Sequence, residues 1–233
     1  MIAIIDYGMG NLRSVEKAFE KVGFESVVTD KSEIIENADK IVLPGVGAFK
    51  DAKDGLQERN LVEPIINHIK KRKLFLGICL GLQLLFTRSY EDGKHEGLNI
   101  VSGEVVRFKP DRLNVSNTEG QGEEAESFKT LPGGSNQKLK IPHMGWNRIR
   151  VKKEVSILKG LPDNPYMYFV HSYYVIPDDS NVTLTLTDYE DIKYCSSLAY
   201  KNIFACQFHP EKSGNKGLQI FKNFLATIKK RGY

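Results

Sequence analysis

The sequence is poor in cysteine, and its three cysteines (Cys79, Cys195 and Cys206) form no CxxC pair. So small and odd a number does not build a disulfide framework. No HExxH pattern is present either, so a metal site has little support. The longest apolar stretch, Leu74–Phe86, has 13 residues, which is too short to span a bilayer. With no signal peptide expected before the first apolar segment, we predict a reduced, cytoplasmic protein and exclude a membrane protein.

The charge is also low for a protein that binds nucleic acid or an anionic membrane surface. Thirty-three basic side chains oppose 29 acidic ones, for a net charge of +4. The densest basic run, Lys70–Lys73, directly precedes an apolar segment, which is typical of the C-terminus of a helix. Hydrophobic residues make up 41% of the 233 residues and charged residues 27%, which is ordinary for a globular chain and excludes a disordered one. We therefore predict a single domain over residues 1–233.

The first half of the chain alternates between short apolar runs and helical patterns. The run at Met1–Asp6 is typical of a strand that is covered on both faces. Alternation of this kind predicts parallel strands that are joined by right-handed crossovers. The other elements predicted here are a helix that Gly23 ends, strands at Glu25–Thr29, Lys40–Leu43 and Leu74–Ile78, and a helix at Leu61–Lys73.

The second half predicts a different arrangement, with short segments rich in β-branched and aromatic residues between turns. These segments favour an antiparallel extension of the sheet. A closing helix follows, with Ser213 as its predicted N-cap. The polar stretch Pro110–Lys140 is expected to be a mobile surface insertion. The predicted strands lie at Val101–Phe108, Ile141–Val151, Met167–Ile176, Val182–Leu186 and Ile203–Gln207.

The strongest local signal for chemistry is the sequence Gly77-Ile78-Cys79-Leu80-Gly81. A predicted strand runs directly into a cysteine with small neighbours, and a helical pattern (Leu82, Leu84, Leu85, Phe86) follows it. This arrangement is typical of a nucleophile elbow, a strained strand-to-helix turn. The helix N-terminus would favour a thiolate, and the N–H of Leu80 would face an oxyanion. The alternative is a small buried core cysteine.

A cysteine nucleophile needs a base, and His209 is the best candidate among the five histidines. It follows the predicted strand at Ile203–Gln207, at the end of the sheet where open α/β folds place their sites. Glu211, two residues further on, can accept the second N–H of the imidazole and orient it. The other histidines are expected to be structural or exposed: His68, His95, His143 and, between aromatic residues, His171.

The glycine-rich turn Pro44–Gly47 is the third part of the predicted site. It follows a predicted parallel strand and would expose backbone N–H donors to a developing oxyanion. A phosphate-binding turn is the alternative, but the GxxxxGK[ST] pattern is absent. The pair Gly8 and Gly10 lacks the third glycine of a dinucleotide fingerprint, so no nucleotide cofactor is expected.

With these residues in place, the chain resembles the class I (triad) glutamine amidotransferases. Within that family it is most similar to the glutaminase subunits of imidazole glycerol phosphate synthase. The combination of GxCxG with HPE is typical of the whole superfamily, and the other motifs narrow the resemblance. The matching stretches are Asp6–Leu12 (DYGMGNL), Leu43–Phe49 (LPGVGAF), Gly77–Leu85 (GICLGLQLL), Pro142–Asn147 (PHMGWN), His171–Tyr174 (HSYY) and Gln207–Ser213 (QFHPEKS).

The resemblance implies a three-layer, flavodoxin-like α/β fold with a mostly parallel central sheet and an antiparallel extension. It implies that Cys79 is the nucleophile, His209 the base and then the acid, and Glu211 the orienting residue. No cofactor or metal is implied. Ammonia from glutamine would pass through a tunnel in a TIM-barrel cyclase, which makes imidazole glycerol phosphate and AICAR for histidine biosynthesis. The residues implied to serve substrate or oxyanion are Gly45, Val46, Gly47, Leu80 and Gln83, and Trp146 is expected to face the partner.

Three alternatives share parts of this pattern. A paralogous glutaminase would supply ammonia to a cyclase-like partner that amidates a surface or nucleotide-linked sugar, and it would share every catalytic residue. A cysteine peptidase would share the elbow, although Gln83 and the PGVGAF stretch favour glutamine. A non-catalytic subunit would have kept the fold alone, but the intact Cys79, His209 and Glu211 argue against it.

Overall fold

The computed structural model describes residues 1–109 and 140–227. The predicted insertion at Pro110–Lys140 therefore lies, apart from Lys140, outside the described residues. The helices are α1 (Leu12–Lys21), α2 (Ser32–Asn37), α3 (Phe49–Glu58), α4 (Val62–Lys70), α5 (Leu80–Gln83) and α6 (Gly214–Ala226). The strands are β1 (Ile2–Ile5), β2 (Ser26–Thr29), β3 (Lys40–Gly45), β4 (Leu74–Cys79), β5 (Phe86–Ser89), β6 (His95–Glu96), β7 (Val101–Arg107), β8 (His143–Arg148), β9 (Arg150–Val151), β10 (Tyr166–His171), β11 (Tyr173–Pro177), β12 (Thr183–Tyr189), β13 (Ile192–Tyr200) and β14 (Ile203–Cys206).

One large mixed sheet organises the molecule. Its order is β2-β1-β3-β4-β14-β13-β11-β7-β5-β6. Off this path, β12 pairs with β13, and β9 pairs with β12. The five strands from β2 to β14 are parallel, and the neighbours that follow β14 as far as β7 are antiparallel. Strands β8 and β10 form a separate two-stranded antiparallel sheet. The predicted α/β class, with a parallel sheet and an antiparallel extension, is confirmed.

Helices cover both faces of the parallel half, which explains why its inner strands β1, β3, β4 and β14 are almost entirely buried. In β1, Ile2 and Ile4 pack into one core cluster, and Ala3 and Ile5 pack into the other. Helices α1 and α6 close the first cluster, where the rings of Phe19 and Phe221 meet edge to face at 4.9 Å. The second cluster is closed by side chains of α2, α3 and α4: Ile35, Leu56, Ile65 and Ile69.

Lys40, the first residue of β3, ties the sheet to the end of α6. Its Nζ donates to the carbonyl oxygens of Phe224 at 2.7 Å, Leu225 at 2.5 Å and Thr227 at 3.0 Å. The last carbonyls of a helix have no partner within the helix, and a cation there also complements the helix dipole. A single side chain therefore caps the helix that follows the HPE segment.

The helix expected after Cys79 is much shorter than its hydrophobic pattern predicts. Helix α5 ends at Gln83, and a strand begins at Phe86. The carbonyls that would continue the helix are taken by a neighbouring segment. Leu84 O accepts from Leu98 N at 2.8 Å, and Leu85 O accepts from Ile100 N at 2.9 Å and Val101 N at 3.0 Å. The prediction of a longer helix is wrong, and one helical turn contributes little dipole to the thiolate.

Other boundaries also differ from the predictions. The segment Met167–Ile176 is two strands in different sheets, because the chain leaves β10 at His171 and enters β11 at Tyr173. Likewise, Ile141–Val151 divides into β8 and β9. Helices α2 and α3 and strand β13 were not predicted.

The described residues contain neither a membrane-spanning helix nor a cluster of metal-binding side chains. No helix in residues 1–109 or 140–227 is both long and apolar enough to cross a membrane. Within the same ranges, no three His, Cys, Asp or Glu side chains lie together in a way that could hold a metal ion.

Candidate active site

Three adjacent parallel strands end at one edge of the sheet and bring the predicted site together. Strand β4 lies between β3 and β14, and it ends at Cys79. On one side, Gly45 pairs with Cys79 in register at the end of β3. On the other side, Cys206 pairs with Ile78, so the segment leading to His209 leaves the sheet beside the cysteine. The carboxyl ends of these strands therefore carry both expected partners.

The turn at Cys79 is strained, as the elbow motif predicts. Cys79 has φ 54° and ψ −106°, a conformation that residues other than glycine rarely adopt. A Cβ on Gly81 would lie 1.9 Å from the carbonyl oxygen of Leu43, and one on Gly77 would lie 2.8 Å from the oxygen of Gly81. Both flanking glycines are required by close backbone approach. Cys79 is itself buried, and it lines the cavity at the end of the strand.

His209 is held by its backbone as well as by its ring. Its N–H donates to Tyr168 O at 2.8 Å, and its carbonyl accepts from Ser213 Oγ at 2.7 Å. Ser213 stands at the N-cap position of α6 as predicted, but its hydroxyl makes no capping bond and serves His209 instead. Ring atom Nδ1 lies 2.8 Å from Oε1 of Glu211, and both side chains are almost fully buried. The expected orientation of His209 by Glu211 is therefore present in the geometry.

The electrostatics of His209 favour its protonated form. Burial alone lowers the pKa of His209, but a thiolate at Cys79 and the carboxylate of Glu211 outweigh it and raise the pKa to about 10. Nε2, the nitrogen away from Glu211, is buried and has no hydrogen-bond partner among the described residues. Catalytic hydrogen bonds are often loose before substrate binds. His209 can therefore supply a proton at neutral pH.

A cavity of about 390 Å³ opens in front of the cysteine. His209 and Glu211 are not part of its wall; they lie behind Cys79. Gly45 lies beneath the turn, where a Cβ would come within 2.4 Å of the hydroxyl of Tyr7. Five of the expected residues line the cavity: Val46, Gly47, Cys79, Leu80 and Gln83.

Two glutamines connect the cavity wall to the sulfur. Gln83 Nε2 donates to Tyr173 O and to Gln207 Oε1, both at 3.1 Å. Gln207 Nε2 in turn lies 3.5 Å from Cys79 Sγ. Because both amide protons of Gln83 are used within the protein, its Oε1 is the atom left to accept a hydrogen bond from a substrate. These hydrogen bonds therefore fix the orientation of the Gln83 amide and leave its Oε1 for the cavity.

The chain matches the family model "Glutamine amidotransferase class-I" over residues 3–228. It belongs to the class-I glutamine amidotransferase family. The match runs from the first strand past the last helix, so this amidotransferase pattern includes every residue of the site described above.

Curated relatives of this amidotransferase narrow the comparison from the whole family to one kind of subunit. The imidazole glycerol phosphate synthase subunit HisH of Syntrophotalea carbinolica is 50% identical over 224 residues, which is 96% of this chain and 98% of that protein. The subunit HisH of Aquifex aeolicus is 50% identical over 228 residues, 97% of each chain. Among solved structures, PurLQS from Thermotoga maritima matches with a TM-score of 0.66 at 16% identity, over 97% of both chains. At that identity the structural likeness establishes the fold alone.

Sequence reasoning missed two residues of this amidotransferase's site, one that lines the cavity and one that contacts Cys79. Glu91 lines it, and one of its carboxylate oxygens, Oε2, accepts the Phe49 N–H at 2.7 Å. Burial raises the pKa of Glu91, against the effect of that hydrogen bond. Gln207 belongs to a predicted strand and to the QFHPEKS stretch, but the sequence analysis gave it no role in the site. Glu91 lies in a polar turn without a local signal, whereas the position of Gln207 beside the HPE motif could have indicated a role.

Three of the other four histidines are buried, although the sequence analysis left open whether they are structural or exposed. His68 is fully buried between α2 and β4, and His143 and His171 are also buried. His171 additionally lines the cavity. Burial lowers the pKa of His68 and of His143 to about 4, and that of His171 to about 3, so all three are neutral at pH 7.

Proposed function

We propose that this chain is the glutaminase subunit of an imidazole glycerol phosphate synthase, which releases ammonia from glutamine for a cyclase partner in histidine biosynthesis. The observation that carries the proposal is the full-length identity of 46–50% to HisH subunits of five bacteria. The geometry around Cys79 supplies the chemistry. On this reading residues 1–233 are a single amidotransferase domain that acts in the cytoplasm.

The reaction starts with Sγ of Cys79, which attacks the side-chain carbonyl carbon of glutamine. The tetrahedral intermediate collapses when His209 protonates the leaving nitrogen, and ammonia departs from a glutamyl thioester. Water, deprotonated by the now neutral His209, then cleaves the thioester to release glutamate and the thiolate. Glu211 keeps the imidazole oriented through Nδ1 in both steps.

The cavity wall supplies the binding groups. Backbone N–H groups of Gly45, Val46 and Leu80 serve the oxyanion, with Gly47 allowing the turn its positive φ of 96°. Oε1 of Gln83 accepts from the substrate. Glu91 keeps one oxygen, Oε1, available for a cation, which suits the α-ammonium group of glutamine.

The surface near the site suits a protein partner. Met144 and Trp146 are 62% and 56% exposed, although large apolar side chains are usually buried. They alternate with inward residues along β8, beside Tyr166 of β10, which is 42% exposed. Aromatic residues and methionine are enriched at protein interfaces. We assign this face to the cyclase partner, a TIM barrel with a tunnel that keeps ammonia away from water.

The proposal predicts that Cys79→Ala abolishes glutamine hydrolysis while the fold stays intact, because no other group can form the thioester. Glutamate release is measured for both chains, alone and with a cyclase partner that holds its nucleotide ligand. Circular dichroism confirms folding.

The matched control is Cys195→Ala, since Cys195 is equally buried but lies in β13, away from the cavity. Glutamine turnover by Cys79→Ala would contradict the mechanism. Turnover that required a sugar-amidating partner would contradict the proposal that the ammonia is used in histidine biosynthesis.

A further inference from the structure

Two buried histidines stand directly opposite each other where the small sheet ends. His143 of β8 pairs in register with His171 of β10, and Nδ1 of His143 lies 3.1 Å from Nε2 of His171. Tyr194 lies beside both rings, with its hydroxyl 3.1 Å and 3.2 Å from the same two nitrogens. The mechanism proposed above uses none of these side chains.

The partners of His143 fix its tautomer. Asn147 Oδ1 accepts the Arg148 N–H at 2.7 Å, which fixes the orientation of the amide. Asn147 Nδ2 donates to Asp188 O at 2.9 Å and lies 3.2 Å from Nε2 of His143. An amide nitrogen can only donate, so Nε2 of His143 accepts and the proton of the neutral ring is on Nδ1. His143 therefore donates from Nδ1, which has Nε2 of His171 and the hydroxyl oxygen of Tyr194 within reach.

The partners of His171 give the same direction. Its Nδ1 lies 2.8 Å from Tyr173 O, and a carbonyl only accepts, so Nδ1 carries the proton. Nε2 is then an acceptor, within reach of Nδ1 of His143 and of the Tyr194 hydroxyl. Tyr173 O also accepts from Gln83 Nε2. One carbonyl thus joins the histidine pair to the glutamine that faces the cavity.

We infer that Asn147, His143 and His171 form a one-way hydrogen-bond relay that positions Tyr173 O and, through it, Gln83 in the glutamine cavity. The inference rests on the proposed function for the identity of the substrate. The relay starts on the inward side of β8, whose outward side carries Met144 and Trp146. It is a continuous connection between the proposed partner surface and the cavity wall. Bonds in such a chain polarise one another, so the loss of one donor weakens the next.

The first test reads the tautomers directly in the unaltered chain, without partner or substrate. Nitrogen-15 NMR of histidine-labelled protein should show His143 and His171 as neutral rings that carry the proton on Nδ1, between pH 8 and pH 5. A proton on Nε2 of either ring would overturn the relay. This readout does not depend on glutamine turnover, so it separates failure of the relay from failure of the proposed function.

The second test measures glutamine affinity in a Cys79→Ala background, in which no turnover occurs. His143→Leu, which removes the donor, should weaken glutamine binding by about tenfold, because a residue that connects two sites without touching the ligand can change affinity by about that much. His143→Asn, whose Nδ2 stands where Nδ1 stood, should restore most of the affinity.

Phe108→Leu is the packing control, because its ring contacts both histidines (5.2 Å to His171 and 6.3 Å to His143, between ring centroids) without hydrogen bonding to either. It should change the affinity less than twofold. Equal losses in Phe108→Leu and His143→Leu would show a packing effect and overturn the proposal, as would a failure of His143→Asn to restore binding.

Discussion

His209 lies between Cys79 and Glu211, and its pKa depends on both. Burial works against protonation of this ring, so only the combined fields of the Cys79 thiolate and Glu211 raise the pKa to about 10. A raised pKa means that the imidazolium persists as the pH rises through 6.5 and loses its proton only near pH 10. His209 can therefore act as a proton donor across the neutral range.

We predict that Cys79→Ala lowers the pKa of His209, since the substitution removes one of the two fields but leaves the burial. NMR titration of the Cε1–H signal of the ring measures the shift. In Cys195→Ala the pKa should stay unchanged. An unchanged value in Cys79→Ala would mean that Glu211 alone holds the proton.

Residues of the site differ in how far the sequence predicts them. Cys79, His209 and Glu211 lie in short motifs whose spacing has a local physical cause, so each could be predicted as a candidate. Glu91 lines the cavity, and Gln207 contacts Cys79 and Gln83, only because distant segments pack together. Long-range contacts of this kind leave no periodicity in the sequence.

At the scale of elements, α6 approaches the HPE turn so closely that one position has no room for a side chain. A Cβ on Gly217 would lie 1.8 Å from the carbonyl oxygen of Pro210. Helix propensity alone predicts that Gly217→Ala stabilises the protein by about 1 kcal/mol. The backbone contact is the larger effect, because overpacking typically costs about 1–3 kcal/mol.

We therefore predict that Gly217→Ala destabilises the protein and lowers glutaminase activity about tenfold or more, because the displaced turn carries His209 and Glu211. Urea unfolding and glutamate release measure the two effects. Asn215→Ala, at an exposed position of the same helix, should change neither. A more stable Gly217→Ala variant with full activity would show that the turn adapts.

The elements themselves were predicted where hydrophobic periodicity decides them. Strands β1 and β4 and helix α1 follow from their patterns to within a few residues. The helix after Cys79 fails because its apolar residues suit a strand equally well, and the choice is made by the segment that pairs with Leu84 and Leu85. The local hydrophobic pattern does not show whether another segment of the chain will pair with these residues.

At the scale of the molecule, the exposed face of β8 carries a fluorescent side chain that can report the binding of a partner. Trp146 is the single tryptophan of the chain and is 56% exposed. We predict that its fluorescence shifts to shorter wavelength when a cyclase partner binds, and that Trp146→Ala weakens the complex about tenfold or more, as for an interface hot spot. Phe24→Ala, at an exposed aromatic residue outside β8 and β10, is the control. Binding without a spectral change would place the interface elsewhere.

Stability of the whole molecule depends on a histidine far from the chemistry. His68 joins three elements, with Nδ1 3.2 Å from Ile35 O and Nε2 3.2 Å from Leu74 O. Burial lowers the pKa of His68 to about 4 despite these two carbonyls. In the unfolded chain the ordinary value of about 6.5 returns. Between these two values the unfolded state binds more protons, so acid favours unfolding.

We predict that lowering the pH from 7 to 5 removes about 2 kcal/mol more stability from the unaltered protein than from His68→Gln, which cannot bind that proton. Urea unfolding of both chains at several pH values measures the difference. At pH 8 His68 is neutral in both the folded and the unfolded state, so the gap between the chains there gives the cost of the substitution itself. Parallel stability curves from pH 8 to pH 5 would mean that His68 takes up its proton without unfolding. The two carbonyls would then outweigh burial, because a protonated ring can donate to both.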